Sequence, residues 1–75
     1  MSKIVDVKAN LTGVVWQIDA EPGSIVAEDD PIVTVESMKM EIPVGAPTAG
    51  EVVEILVSKD TQVEDGQIIA RIRTN

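Results

Sequence analysis

Moved along itself by 37 positions, the chain aligns without a gap. Val7 falls on Val44, Ala9 on Ala46, Gly13 on Gly50, Val15 on Val52, Ile18 on Ile55, Val26 on Val63 and Ile32 on Ile69. Conservative pairs fill the intervals: Val5 with Ile42, Ser24 with Thr61, Glu28 with Asp65, Val35 with Ile72. Seven identities in one register, with the glycine included, read as an internal duplication. The copies run about 5–36 and 42–73, and the bridge between them is Ser37-Met38-Lys39-Met40-Glu41. A segment that short leaves its apolar face bare. The two copies therefore have to share one core, as halves of a single domain 1–75 related by a pseudo-two-fold axis.

Within each copy the hydrophobic period is two. Val5 and Val7 alternate with Asp6 and Lys8, Val33 and Val35 share a parity, and so do Ile68, Ala70 and Ile72. Breakers punctuate these runs at Asn10, Thr12-Gly13, Glu21-Pro22-Gly23, Asp29-Asp30-Pro31, Pro43, Gly45-Ala46-Pro47 and Asp65-Gly66. Many short strands separated by turn residues predict an all-β sandwich or barrel, with no helix. Val52-Val53, Ile55 and Val57 form the longest strand candidate, with Glu51 and Glu54 facing out. Pro31 and Pro43 should limit regular ladder bonding around the bridge. With one Trp and no Phe or Tyr the core must be aliphatic. Trp16, aligned with Val53, reads as a partly buried strand residue.

Several functions are poorly matched to this composition. There is no Cys for a disulfide or thiolate site, and no His, the commonest general base and metal ligand. A net charge of −7 opposes binding to nucleic acid and to anionic membranes. No run approaches the length of a membrane span, and the start lacks the layout of a signal peptide. These features predict a soluble, cytoplasmic protein, monomeric when isolated and not itself an enzyme. Glu28-Asp29-Asp30 is acidic but lacks the spaced ligands of a calcium loop. Lys3, Lys8 and Lys59 read as ordinary solvated charges.

The bridge is the anomaly. A tight turn between strands favours Asn, Gly or Asp, which tolerate positive φ, yet this one offers Met-Lys-Met. At a hairpin tip the methionines cannot reach the core, so they form a small apolar patch for a partner to grip. A solvated ammonium flanked by Glu36 and Glu41 is no general base. Its open position suits a substrate: another enzyme takes the amine and acylates it.

Glu36-Ser37-Met38-Lys39-Met40-Glu41 resembles the attachment motif of biotinyl carrier domains, Glu, then Ala or Ser, then Met-Lys-Met. The likeness extends to Val7-Lys8-Ala9, Gly13-Val14-Val15, Glu21-Pro22-Gly23-Ser24-Ile25-Val26, Ala46-Pro47-Thr48-Ala49-Gly50 and Val63-Glu64-Asp65-Gly66-Gln67. The resemblance implies a flattened β-barrel, or barrel-sandwich hybrid, of two four-stranded antiparallel sheets with Lys39 on a protruding hairpin. It implies biotin joined covalently to Lys39 by a biotin protein ligase that recognises Glu36, Met38, Met40 and Glu41. A biotin carboxylase would then load a carboxyl group, and the swinging arm would carry it to a carboxyltransferase, as in acyl-CoA carboxylases. Three departures stand out. Asp29 and Asp60 occupy positions where that family commonly has glycine and where their repeat mates are Gly66 and Gly23. The segment Val15 to Pro31 is too short for the thumb loop of some bacterial carriers. Asp tolerates positive φ better than most residues, so the first two predict modest local strain only.

Two other readings remain. A lipoyl carrier of an oxo-acid dehydrogenase or glycine cleavage system would share the fold, but lipoyl domains usually place an acidic residue before the lysine and a small one after it. An unmodified β-module would use the methionine tip for protein binding alone.

Overall fold

The computed structural model describes residues 3–74. Eight strands follow one another: β1 Lys3–Lys8, β2 Gly13–Ile18, β3 Ile25–Val26, β4 Pro31–Ser37, β5 Met40–Gly45, β6 Gly50–Ile55, β7 Gln62–Val63 and β8 Ile68–Thr74. Each of the last four repeats one of the first four at the same offset of 37, so the structural copies span 3–37 and 40–74. Only Met38 and Lys39 stand between them. The strands form two antiparallel four-stranded sheets, sheet I in the order β1-β8-β6-β3 and sheet II in the order β5-β4-β2-β7. No helix occurs among the described residues, and none is therefore long and apolar enough to cross a membrane.

Each sheet takes two strands from each copy. β2 pairs with β4 inside the first copy, whereas β1 finds its partner in β8 and β3 finds its partner in β6. The loops follow the same rule. Ala9 N–H donates to the Gln67 carbonyl (2.9 Å) and Gly66 N–H to that of Ala9 (2.8 Å); Ala46 N–H donates to Asp30 (2.8 Å) and Asp29 N–H to Ala46 (2.9 Å). A second reciprocal set joins Val15 to Asp60 and Thr61, and Val52 to Gly23 and Ser24. Backbone groups in the interior must find partners, and here they find them across the two-fold.

The core obeys the same symmetry. Val7, Ala9, Val15, Val26, Ile32, Val33 and Val35 are buried, and so are their mates Val44, Ala46, Val52, Val63, Ile69, Ala70 and Ile72. Leu11, Ile18, Ile55 and Val57 pack at its edge. Val57 lies beyond β6, which stops at Ile55. Bulges put the extra residues Trp16 and Val53 at equivalent places in β2 and β6. That is why Glu51 and Glu54, three apart, both pair with the outward-facing arginines of β8. Pro43 does not end its ladder: it pairs with Thr34, and pairing continues to Pro31 opposite Gly45. β5 is an edge strand, where a missing N–H costs the sheet nothing.

Four tight turns share one construction. In 21–24, 27–30, 58–61 and 64–67 the last residue's N–H donates to the first residue's carbonyl, at 2.9–3.1 Å. The last side chain (Ser24, Asp30, Thr61 or Gln67) accepts from the first residue's N–H. The third residue has positive φ each time: Gly23 (94°), Asp29 (73°), Asp60 (73°) and Gly66 (89°). This is the pattern of a type II turn, which favours glycine there. Asp29 and Asp60 thus adopt the conformation expected of positions where glycine is common. Asp30, the last of the acidic run, is engaged in closing its turn.

Gly13 and Gly50 are required for a different reason. A Cβ on Gly13 would collide with the Glu36 carbonyl and lie 2.7 Å from Val35 Cγ1; one on Gly50 would collide with the Arg73 carbonyl and lie 2.7 Å from Ile72 Cγ2. Gly13→Ala and Gly50→Ala should each lower stability by about 2–3 kcal/mol, through overpacking against backbone that cannot yield. Urea unfolding should give similar losses for the two, and a loss at one site only would contradict the symmetric packing. At Asp29, substitution by Gly should leave stability unchanged or raise it. Asp29→Val should lower it by about 1–2 kcal/mol, because a β-branched residue resists positive φ.

Candidate functional site

Antiparallel pairing brings β4 and β5 to a closed end: Val35 opposite Ile42, Glu36 opposite Glu41, Ser37 opposite Met40. Two residues remain to reverse the chain. Both adopt left-handed backbone, Met38 at φ 53° and Lys39 at φ 65°. Positive φ at both central positions is the mark of a type I′ turn, whose twist matches that of the flanking strands. Such a turn ordinarily carries Asn-Gly. Left-handed backbone costs a non-glycine residue roughly 1–2 kcal/mol, so this tip holds a conformation that its own side chains disfavour.

Every side chain of the tip but one faces solvent. Met38 is 92% and Met40 62% exposed. Glu36, Lys39 and Glu41 are exposed and Ser37 is half-buried. The two methionines are thus surface residues, although Met40 has the inward parity of Ile42 and Val44. Its strand simply outruns the core. Among the described residues Lys39 makes no ion pair; the ion pairs present are Arg71–Asp6 (3.1 Å), Arg71–Glu54 (3.4 Å) and Arg73–Glu51 (3.9 Å), all on sheet I. The hydrogen bond that Arg71 Nε donates to Asp6, and then the charge of Glu54, hold the Arg71 guanidinium above its ordinary pKa. Glu36 and Glu41 face each other across the ladder, an arrangement of like charges that destabilises a sheet.

The structure thus brings Glu36, Met38, Lys39, Met40 and Glu41 together within one hairpin end. It sets Lys3 and Lys8 on β1 of the other sheet and Lys59 in the 58–61 turn. The chain's described surface holds no cavity, and no group of three or more carboxylates is arranged to hold a metal. What the geometry offers is a single exposed amine at a hairpin tip, open to a second protein. Trp16 is a strand residue, but at 42% exposed it is a surface residue and not the partly buried one that its alignment with half-buried Val53 suggests; it sits at the bulge of β2. Periodicity could not reveal that, because a bulge resets the alternation within a strand.

Comparison with known proteins meets this geometry at each level. The family described as "Biotin-requiring enzyme" matches residues 4–72. A relative from Mycobacterium leprae, "Biotinylated protein TB7.3 homolog", is 39% identical over 67 residues, covering 89% of this chain and 94% of that protein. The urea carboxylase of Kluyveromyces lactis superposes with a TM-score of 0.88 at 33% identity over 93% of this chain, which spans only 6% of that enzyme. The lipoyl domain of the 2-oxoglutarate dehydrogenase complex of Azotobacter vinelandii, covered over 96% of its length, gives a lower TM-score of 0.71 at 27% identity. With a shared fold, a family match over nearly its whole length and close likeness to carboxylase segments, the chain belongs to the family of biotin- and lipoyl-type attachment domains.

Proposed function

We propose that this chain is a biotin carboxyl carrier, a single carrier domain that serves catalytic partners and performs no catalysis itself. The observation that carries the reading is the hairpin end, a solvent-exposed lysine between two exposed methionines in a strained two-residue turn. A biotin protein ligase joins the carboxylate of biotin to the α-phosphate of ATP as an acyl-AMP, releasing pyrophosphate, and Lys39 Nζ, once deprotonated in the ligase site, attacks that acyl carbon. The amide forms, AMP leaves, and the lysine's charge is lost. Glu36, Met38, Met40 and Glu41 are the groups the ligase reads.

Biotin supplies the chemistry, an arm that accepts a carboxyl group at a biotin carboxylase and surrenders it at a carboxyltransferase. The domain's own contribution is mechanical. Its two sheets hold the tip rigid, while the lysine stem and biotin tail sample a small volume around it. Tethering of this kind keeps the reactive group at an effective concentration on the order of millimolar at each partner site. Relatives that carry carboxylase names support these partners, and the Met-Lys-Met flank favours biotin over lipoate. We assign the isolated chain as a monomer in the cytoplasm.

Incubation with biotin protein ligase, biotin and ATP should add one biotin to the wild type by intact mass, and none to Lys39→Arg. An adduct surviving in Lys39→Arg would refute the assignment to that residue. A lipoyl increment from a lipoate ligase, with no biotin adduct, would instead select the lipoyl reading. The turn itself gives an independent check. Replacing Met38-Lys39 by Asn-Gly should stabilise the domain by about 1–2 kcal/mol in urea unfolding while abolishing modification. A loss of stability would mean that the methionine and lysine support the fold.

A further inference from the structure

The two-fold provides an internal control, since every position on the outer face of sheet II has a mate on sheet I. On sheet I one cross-strand row reads Ile4–Arg73–Glu51–Ile25, and beside it Arg71 bridges Asp6 and Glu54. Charge on that face is neutralised within the face. The equivalent row on sheet II reads Glu41–Glu36–Val14–Gln62. Its carboxylates have no cationic partner among the described residues. Below it lie Pro43, Thr34 and the bulged Trp16, with Val14 40% and Trp16 42% exposed. Exposed apolar residues alone do not set this face apart, since sheet I exposes Ile4 (51%) and Ile25 (78%); what it lacks are the ion pairs that neutralise sheet I on the same backbone.

The face with unneutralised charge is the one that ends in Lys39. Its first row lies about 7 Å below the turn, given roughly 3.4 Å per strand residue. We propose that the outer face of sheet II is the docking surface for the biotin protein ligase, with Val14 and Trp16 as apolar anchors inside a rim made by Glu36 and Glu41. The inference rests on the carrier reading above. Among the proteins that act on this tip, the ligase is singled out by reach. It must draw the bare amine into its own active site on nothing longer than the lysine stem, so the body of the domain is pulled against it. Enzymes that handle the biotin ring work at the end of a longer arm. The facing ligase surface is cationic, with an apolar seat for the indole, since that is what an unpaired Glu36–Glu41 pair around exposed Val14 and Trp16 complements.

The test compares Val14→Lys and Trp16→Val with Ile25→Lys on sheet I in steady-state biotinylation by a biotin protein ligase. Both sheet II substitutions copy the character of their two-fold mates, charged Glu51 and aliphatic Val53, so the fold accommodates them. KM for the carrier should rise about 10-fold in each, with kcat within about 2-fold, while Ile25→Lys leaves both constants unchanged. KM of the wild type should also rise with salt. The single Trp permits a reading without substitution: 5-fluorotryptophan at position 16 should shift or broaden in its fluorine resonance when ligase is added. Wild-type modification with unchanged KM in both sheet II variants and an unmoved fluorine signal would overturn this docking surface alone. Absence of modification in the wild type would overturn the carrier reading beneath it.

Discussion

Neither half of this chain can satisfy its own backbone. β1 and β3 have partners only in the second copy, and the turns that follow β1 and β5 are closed by carbonyls and amides from across the two-fold. With no cysteine, no metal-holding cluster among the described residues and an aliphatic core, the reciprocal exchange of strands is what makes one cooperative unit of two short segments. The consequence reaches the tip. Because the copies interlock along most of their length, the link between them is free to be the shortest a hairpin allows, and two residues suffice.

Shortness then creates strain. A two-residue link requires left-handed backbone at both positions, and the residues there are suited to neither. The four type II turns show that this chain solves the same problem cheaply elsewhere, using Gly at two sites and Asp, a residue tolerant of positive φ, at the other two. Met and Lys at the hairpin end are therefore not an accident of a chain indifferent to turn chemistry. Stability is given up at the hairpin end, and the interlocked core supplies enough to hold the geometry.

Much of this was readable in the letters. The repeat placed both copies, the alternating Val and Ile runs identified their inward faces, and the alignment of Asp29 with Gly66 and of Asp60 with Gly23 pointed to positive φ before any coordinates. Other features were hidden for physical reasons. Pro43 looked like a stop signal because a proline's missing donor matters only in an interior strand, and strand order is not written locally. The bulges at Trp16 and Val53 shift the alternation by one, so a period-two pattern cannot locate the side of the sheet on which Trp16 lies. The exchange of strands between the copies depends on pairing between distant residues, from Ile25 with Glu51 to Lys3 with Thr74. The tip stood out in the sequence because it violates local preference, and the structure shows the exposed methionines and the positive φ that this violation entails.

The contrast between the two faces follows from duplication. Two copies of one segment begin with the same surface, and divergence can spread only where the shared core allows. On sheet I the charged residues of the exposed rows have become self-neutralising. On sheet II the carboxylates Glu36 and Glu41 oppose each other at a cost to the sheet, and only Lys39 beyond them offers a positive charge at that end. On the carrier reading, acylation of Lys39 would remove that charge and leave the end wholly anionic, so a partner that binds the acidic face before modification would meet a more negative tip afterwards.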